Sequence, residues 1–324
     1  MVNHTIELKQ LEAVYETSGN TVSLLFGKRG SEKELLFKQF AMDKPCFYYR
    51  ARQCSDEKQL VYLSKQIQAD FSSKLNKITY DECFTRLRTS GAKKLVIIID
   101  ECQNIIKKNS LFLESIIKLK SKKLYPGPVM IIFATSSKVW ANNNYGELVG
   151  ESFFNATSQI ELNELTFLDV VRAFPKYSVS DCVATYGIIG GNCKYINRWD
   201  GNKSIKQNVC DNILRQDGFL FDEAEAIIGS ELREPSCYET ILASIAEGNE
   251  KLNDLFEDTG YSRAKISVYM KNLAAFDIID KAVSFETGGW ENTKKGVYRI
   301  SNPFINFYFT FIYPHLSEVY TLTA

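Results

Sequence analysis

The pattern of hydrophobic and polar positions changes along the chain and predicts three parts. In residues 1–163, short segments that are mostly apolar alternate with segments whose apolar side chains recur at helical spacing. The strand-like segments are residues 21–26, 45–53, 93–101, 127–137 and 156–165. The helix-like segments are residues 1–19, 34–41, 55–71, 79–90 and 110–124. Strands that alternate with helices at this spacing predict an α/β fold with a parallel, doubly wound sheet.

The rest of the chain has a different pattern. Strand signals vanish in residues 164–232, where short helices predict a helical domain. Residues 233–324 read as three helices, two strands joined by a turn-rich segment, and an aromatic-rich helix. Three helices followed by a hairpin predict a winged helix-turn-helix domain. The predicted domains are therefore an α/β domain at 1–163, a helical domain at 164–232 and the winged helix at 233–324.

Composition narrows the classes of function. Lys and Arg together number 39, as do Asp and Glu, so no overall charge attracts nucleic acid or a membrane. The apolar segments are too short to cross a bilayer and the amino terminus lacks a signal peptide's apolar core, so we expect no membrane partner and a cytoplasmic location. The eight cysteines form no CxxC pair and are expected to be reduced thiols. With only His4 and His315 present, the sequence argues against a histidine triad or a His-ligated zinc site.

The loop after the first predicted strand has the spacing of a phosphate-binding P-loop. Such a loop aims backbone N–H groups at phosphates and places a lysine on the β- and γ-phosphates and a hydroxyl on magnesium. The segment GKRGSEKE keeps the first glycine and the lysine, but Glu32 replaces the second glycine and Glu34 replaces the hydroxyl. By itself this spacing also fits an ordinary turn. The candidate nucleotide-binding residues are Gly27, Lys28, Arg29, Gly30, Ser31, Lys33 and Glu34.

Polar residues also follow two later strands. Asp100 and Glu101 come at the end of LVIIIDE, where an aspartate can orient magnesium and a glutamate can activate water. A solvated acidic pair at the end of a strand is the alternative interpretation. Ser136 follows another strand, on the side where open α/β sheets bind ligands. Because both motifs occur in one α/β domain, we predict an ATP and magnesium site with Asp100 as metal ligand, Asp100 and Glu101 as catalytic residues and Ser136 as a nucleotide contact.

Seven segments resemble one known family in the same order. They are LLFGKRG, VIIIDE, IIFATSSKVW, YGIIGGNCKYI, LREPSCYETILASIAEG, KISVYMKNLAAFDII and YRISNPFINFYFTFIYP. Together they resemble the prokaryotic AAA+/STAND-type ATPases of the archaeal ATPase family, more narrowly the branch that carries a winged helix and often a C-terminal nuclease-like domain. The resemblance covers nearly the whole chain and implies a P-loop NTPase fold with a helical lid and a winged helix. The sequence ends soon after the last segment, so nuclease activity is not predicted.

The sequence departs from the family at five positions. Besides the two loop glutamates, Thr135 stands where a glycine is usual, Asn155 where an arginine is common, and Cys193 where a proline is expected. A carboxylate within about 4–6 Å of a triphosphate repels it by roughly 1 kcal/mol or more. Loss of a transition-state arginine lowers the rate by about 10³-fold or more. We therefore expect impaired hydrolysis, and binding only if the loop glutamates point outward or Glu34 binds magnesium.

These features predict a pseudo-ATPase, that is, a regulatory or scaffold protein whose ATP hydrolysis is impaired or lost. Two alternatives remain open at this point. One is a slow but active ATP-dependent switch that uses Lys33, Asp100 and Glu101. The other is a protein-interaction module that binds neither nucleotide nor DNA.

The predicted winged helix offers a second functional surface. Residues 261–300 contain seven basic and four acidic residues, and the third helix of such a domain enters the major groove of DNA. The candidate DNA contacts are Arg263, Lys265, Lys271, Lys294 and Lys295. A protein partner or self-association through the same domain is the alternative.

Overall fold

The chain divides into two units, Asn3–Asn163 and Glu164–Ala324, each with its own hydrophobic core. The structure, a computed structural model, describes residues 4–28, 30–72, 77–88, 93–106, 110–148, 158–283 and 296–322.

The first unit is built on a five-stranded parallel sheet. Its strands are β1 Thr21–Gly27, β2 Cys46–Arg50, β3 Leu95–Asp100, β4 Val129–Thr135 and β5 Ser158–Leu162. Their order across the sheet is β2-β3-β4-β1-β5, and every neighbouring pair runs parallel. β1, β3 and β4 are buried along their full length, as expected for strands covered on both faces.

Helices connect these strands. They are α1 Thr5–Glu16, α2 Lys33–Ala41, α3 Asp56–Phe71, α4 Tyr80–Thr85, α5 Leu111–Lys120 and α6 Lys138–Leu148. Ser55, Thr79 and Ser110 start α3, α4 and α5, because each side chain accepts a hydrogen bond from a backbone N–H that the helix itself leaves unpaired.

Alternate residues of the central strands pack into cores on opposite faces of the sheet. Ile97 and Ile99 belong to the cluster that includes buried side chains of α3, α4 and α5. Val96 and Ile98 belong to the cluster that includes α1 and α2. Since side chains of a strand point alternately to its two faces, an unbroken apolar segment fills both cores at once.

The second unit is mostly helical. Its helices are α7 Phe167–Ala173, α8 Val179–Ile189, α9 Cys193–Arg198, α10 Ile205–Val209, α11 Glu223–Glu231, α12 Pro235–Ala246, α13 Leu252–Thr259, α14 Arg263–Ala275, α15 Pro303–Phe307 and α16 Leu316–Leu322. After α14, β6 Ile279–Ala282 and β7 Val297–Ile300 pair antiparallel. The order α12, α13, α14, β6, β7 is that of a winged helix-turn-helix.

The predicted fold class is confirmed: a parallel α/β P-loop NTPase sheet is followed by lid-type helices and a winged helix. Helix α6 was not predicted from the sequence, and α4 ends sooner than predicted. One hydrophobic cluster extends from Val170 to Val319, so the division of the second unit at residue 232 stays a prediction. Among the residues that the structure describes, no helix combines the length and apolar character that crossing a membrane requires.

Candidate functional site

The carboxyl ends of β1, β3 and β4 bring the predicted site residues together. β4 lies between β1 and β3, so the ends of β1 and β3 are two strand spacings, about 10 Å, apart. That distance is short enough for the long side chain of Lys33 to interact with Asp100 and Glu101 across the end of β4.

The loop between β1 and α2 keeps a backbone that glycine favours. A Cβ placed on Gly27 would lie 2.7 Å from the Cβ of Leu162, so the approach of β5 requires glycine there. Gly30 has a φ of 84°. Glu32, at the position of the second P-loop glycine, also has a left-handed backbone, with φ 53° and ψ 38°. The chain has thus retained the turn while replacing the residue that adopts it without strain.

Lys33 is the first residue of α2 and is buried. Its Nζ donates a hydrogen bond to the carbonyl oxygen of Gly27 at 3.3 Å, which directs the ammonium group over the loop. Burial lowers the pKa of Lys33, while the nearby carboxylates of Glu101 and Asp100 act in the opposite direction. Lys33 therefore lies over the loop at the start of α2, the position that the P-loop pattern gives to its lysine.

Glu34 is paired with Arg50 at the end of β2 and still acts on the charge of Lys33. Its Oε1 accepts a hydrogen bond from the Nη1 of Arg50 at 2.7 Å, and 56% of its side chain is exposed. The sequence predicted that nucleotide binding requires both loop glutamates to point outward or Glu34 to bind magnesium. The half-exposed Glu34 is paired with Arg50, and the condition stays a prediction.

Asp100 is the buried end of β3. Its Oδ2 accepts a hydrogen bond from the hydroxyl of Tyr48 at 2.8 Å, and its Oδ1 accepts one from the backbone N–H of Glu101 at 2.9 Å. Burial raises the pKa of Asp100, although the hydrogen bond from Tyr48 and the charge of Lys33 partly oppose this. Tyr48 was not among the predicted site residues.

Glu101 follows Asp100 with a left-handed φ of 50°. Both of its carboxylate oxygens lie 2.7 Å from the Oγ of Ser136, and Oε2 also accepts a hydrogen bond from Gln103 at 2.7 Å. Burial would raise the pKa of Glu101, but the hydrogen bonds from Ser136 and Gln103, together with Lys33 and Arg50, lower it. The carboxylate is therefore held ionised and fixed in orientation beside β4.

The described part of the loop fits a bound phosphate group. The Oγ of Ser31 is buried and has no hydrogen-bond partner among the described residues. It lies 2.9 Å from the position a Cβ would take on Gly27, so the first glycine leaves room beside this hydroxyl. Lys33 adds a cation, and the Asp100 carboxylate is an oxygen ligand of the kind magnesium prefers. Arg29, also predicted as a nucleotide contact, and Asn155 lie outside the described residues.

Arg50 is the other site residue that the sequence did not indicate. The β2–β3 register places it directly opposite Asp100, and its guanidinium lies near Asp100 and Glu101 as well as Glu34. The only sequence signal is a cation at the end of a predicted strand, which is too common to identify a site.

The predicted DNA contacts are partly engaged within the second unit. The guanidinium of Arg263 lies 4.0 Å from the ring centroid of Phe256 and donates a hydrogen bond to Asn253 at 3.0 Å. The Nζ of Lys265 lies 4.4 Å from the ring centroid of Tyr261. Lys271 is exposed on α14, and residues 294 and 295 lie outside the described part of the chain.

Comparison with known proteins identifies the family. The model of an ATPase domain found predominantly in Archaea matches residues 1–198. The chain belongs to this archaeal ATPase family. A protein of Methanocaldococcus jannaschii is 26% identical to it, over 98% of this chain and 70% of that protein.

Two solved structures share the fold of this member of the family. A Walker-type ATPase of Pyrococcus abyssi superposes with a TM-score of 0.62 at 16% identity, over 95% of this chain and 96% of that one. The ORC2 protein of Aeropyrum pernix superposes with a TM-score of 0.57 at 11% identity, over 98% and 92% of the two chains. At these identities the likeness concerns the fold alone.

Proposed function

We propose that this protein binds ATP with magnesium and hydrolyses it poorly, acting as a nucleotide-responsive regulatory or scaffold module. The observation that carries the proposal is the ion pair between the Glu34 carboxylate and Arg50. That pair offsets the charge of one of the two loop glutamates that would repel a triphosphate. A protein of the same fold, the Aeropyrum pernix ORC2 protein, was solved as ADPNP and ADP complexes.

Different residues would bind the phosphates and the magnesium ion. Lys33 and the N–H groups at the start of α2 bind the phosphates, and Ser31 is available to donate its hydroxyl hydrogen to a phosphate oxygen. Asp100 would hold magnesium, directly or through water, and Tyr48 fixes the orientation of that carboxylate. When bound, magnesium neutralises charge on the phosphate oxygens.

Poor hydrolysis follows from two residues of the loop. Glu34 stands where the P-loop pattern has a hydroxyl for magnesium, and it is paired with Arg50 instead. Glu32 places a side chain at a position where the backbone approaches phosphate. Glu101 is ionised and suited to accept a proton from water. A general base adds little to the rate of hydrolysis, however, when the metal and the phosphates are held loosely.

A titration with a fluorescent ATP analogue in the presence of magnesium tests the proposal. We expect micromolar binding by the native protein, and a loss of about 10- to 100-fold in Lys33→Ala, since a hydrogen bond to a charged group contributes about 1.5–3 kcal/mol. Lys38→Ala is the matched control because Lys38 lies on the exposed side of the same helix. Equal binding by the native protein and Lys33→Ala, or no binding at all, would refute the proposal.

We propose DNA as the partner of the winged helix. Support comes from the exposed cations on two of its elements, Lys271 on α14 and Arg299 on β7. The triple charge reversal Lys265→Glu, Lys271→Glu and Lys294→Glu should weaken DNA binding and flatten its dependence on salt concentration. Unchanged retention on a DNA column would contradict this and favour a protein partner.

A further inference from the structure

Arg50 lies where it can neutralise the acidic side of the nucleotide site. Each of the three nitrogens of its guanidinium faces a different carboxylate. Nη1 donates to Glu34 at 2.7 Å, Nη2 lies 3.8 Å from Glu101 Oε1, and Nε lies 4.0 Å from Asp100 Oδ2. The first is a hydrogen bond, and the other two are longer electrostatic contacts.

The sheet fixes this position of Arg50. The ladder between β2 and β3 pairs Arg50 with Asp100, and the backbone N–H of Ala51 donates to the carbonyl oxygen of Asp100 at 2.8 Å. Arg50 is therefore held beside Asp100 by backbone hydrogen bonds, whereas Glu34 reaches it from α2. The planar guanidinium, with donors on three nitrogens, suits contact with several carboxylates at once.

The charges around Lys33 explain what this arrangement does. Among the described residues, Arg50 is the cation, and Glu34, Asp100 and Glu101 are the carboxylates, whose charges act most on Lys33. Without Arg50, Lys33 would face these three carboxylates without the cation that now contacts all of them.

We propose that Arg50 is a positioning residue that makes the acidic P-loop compatible with a triphosphate. Arg50 holds the Glu34 carboxylate outside the phosphate-binding loop and neutralises it there. The inference rests on the proposed nucleotide binding and predicts a conditional effect: affinity for nucleotide depends on Arg50 only while Glu34 carries a charge.

An exposed ion pair by itself would not have this consequence. Such pairs add little to the stability of a fold, and both side chains here are about half exposed, at 55% and 56%. Removal of Arg50 should therefore leave folding almost unchanged. Its effect should appear in the binding of a polyanion, because the freed Glu34 carboxylate can then turn toward the phosphates.

A double-mutant cycle on magnesium-ATP affinity tests the proposal. We expect Arg50→Gln to weaken binding about tenfold in the native background, and to change it less than about twofold in a Glu34→Gln background. Arg52→Gln is the matched control, since Arg52 lies two residues away with its guanidinium 3.9 Å from the ring centroid of Tyr62. This control should bind like the native protein, and thermal melts should show that every variant folds.

The outcomes separate this proposal from the proposed function. An equal loss in both backgrounds would show that Arg50 contacts the phosphates itself or supports the fold, and it would overturn the proposal. No loss in either background would also overturn it. If the native protein binds no magnesium-ATP, both the proposed function and the proposed role of Arg50 are refuted. If the native protein binds and the cycle shows no coupling, only the role of Arg50 fails.

Discussion

The two sides of the proposed nucleotide site differ in their residues. On the side of β3 and β4, Asp100, Glu101 and Ser136 have the residue types expected of an ATPase and are joined by hydrogen bonds. On the side of the phosphate loop, the backbone turn and Lys33 fit the P-loop pattern, but Glu32 and Glu34 stand where the pattern has a glycine and a hydroxyl. The proposed site therefore matches the pattern in backbone geometry on both sides and in side-chain chemistry mainly on one.

Burial explains part of this difference. Only 2% of the Asp100 side chain and 14% of the Glu101 side chain are exposed, so loss of either carboxylate would leave hydrogen-bond donors unpaired inside the protein. The Glu34 side chain reaches solvent and a neighbouring arginine, so a hydroxyl could be replaced there without disturbing the core. A chain can thus lose catalytic groups from an exposed loop while its fold constrains the buried ones.

Repair of the loop should have the largest effect. The double change Glu32→Gly and Glu34→Thr restores the P-loop pattern, and we expect ATP turnover to rise by about 10- to 100-fold, equal to a barrier lowered by about 1.4–2.7 kcal/mol. Phosphate release measures this rate. Adding Glu101→Gln should remove the gain, because the repaired site still needs a base to orient water. A repaired protein no faster than the native one would contradict the assigned cause of impairment.

Disruption of the acidic side should affect metal-dependent binding. Asp100→Asn keeps an acceptor for Tyr48 but removes the charge that would hold magnesium. We expect affinity for ATP in the presence of magnesium to fall about tenfold, and affinity in EDTA to fall much less. Equal losses under the two conditions would show that Asp100 supports the fold rather than the metal.

Ser136→Ala should reveal the ionised state of Glu101 through stability. Because the folded-state pKa of Glu101 lies below its ordinary value of 4.5, its contribution to stability is present above that pH and is lost as pH falls through the folded-state pKa. The substitution should lower the free energy of unfolding by about 1.5–3 kcal/mol at neutral pH. Denaturant unfolding should show a smaller deficit in acid.

A neighbouring serine provides the control for that pH dependence. Ser137 accepts a hydrogen bond from the backbone N–H of Trp140, a pair without an ionisable group. Ser137→Ala should lower the free energy of unfolding by about 1 kcal/mol at every pH. The same pH dependence in both variants would contradict the role given to Ser136.

Glu32→Gly should have the smallest effect on the fold. Glycine relieves about 1–2 kcal/mol of left-handed strain but adds freedom to the unfolded chain, which offsets about 0.4–1 kcal/mol. We expect the free energy of unfolding to rise by about 1 kcal/mol or less in denaturant titrations. A clear loss of stability would show that the Glu32 side chain supports the loop.

The sequence was sufficient to predict that most of the candidate residues lie at one edge of the sheet. Lys33 and Ser136 follow strands with a clear apolar pattern, Asp100 ends another such strand, and the carboxyl ends of parallel strands meet at that edge. Arg50 could not be found in this way, because its role depends on its register opposite Asp100 and on the rotamer of Glu34.

Helix α6 was missed for a related reason. Its sequence, KVWANNNYGEL, contains three consecutive asparagines and a glycine, which are weak helix formers and are typical of turns. Packing of Ala141 and Tyr145 against the main core favours the helix instead. Such support comes from tertiary contacts, which a local pattern does not contain.

The most direct test of the central claim is a calorimetric titration of the native protein with magnesium-ATP. The nucleotide in the calorimeter's sample is then analysed for conversion to ADP. The account predicts saturable binding in the micromolar range and ATP recovered largely intact. Absence of binding, or rapid conversion of the ATP to ADP, would contradict it.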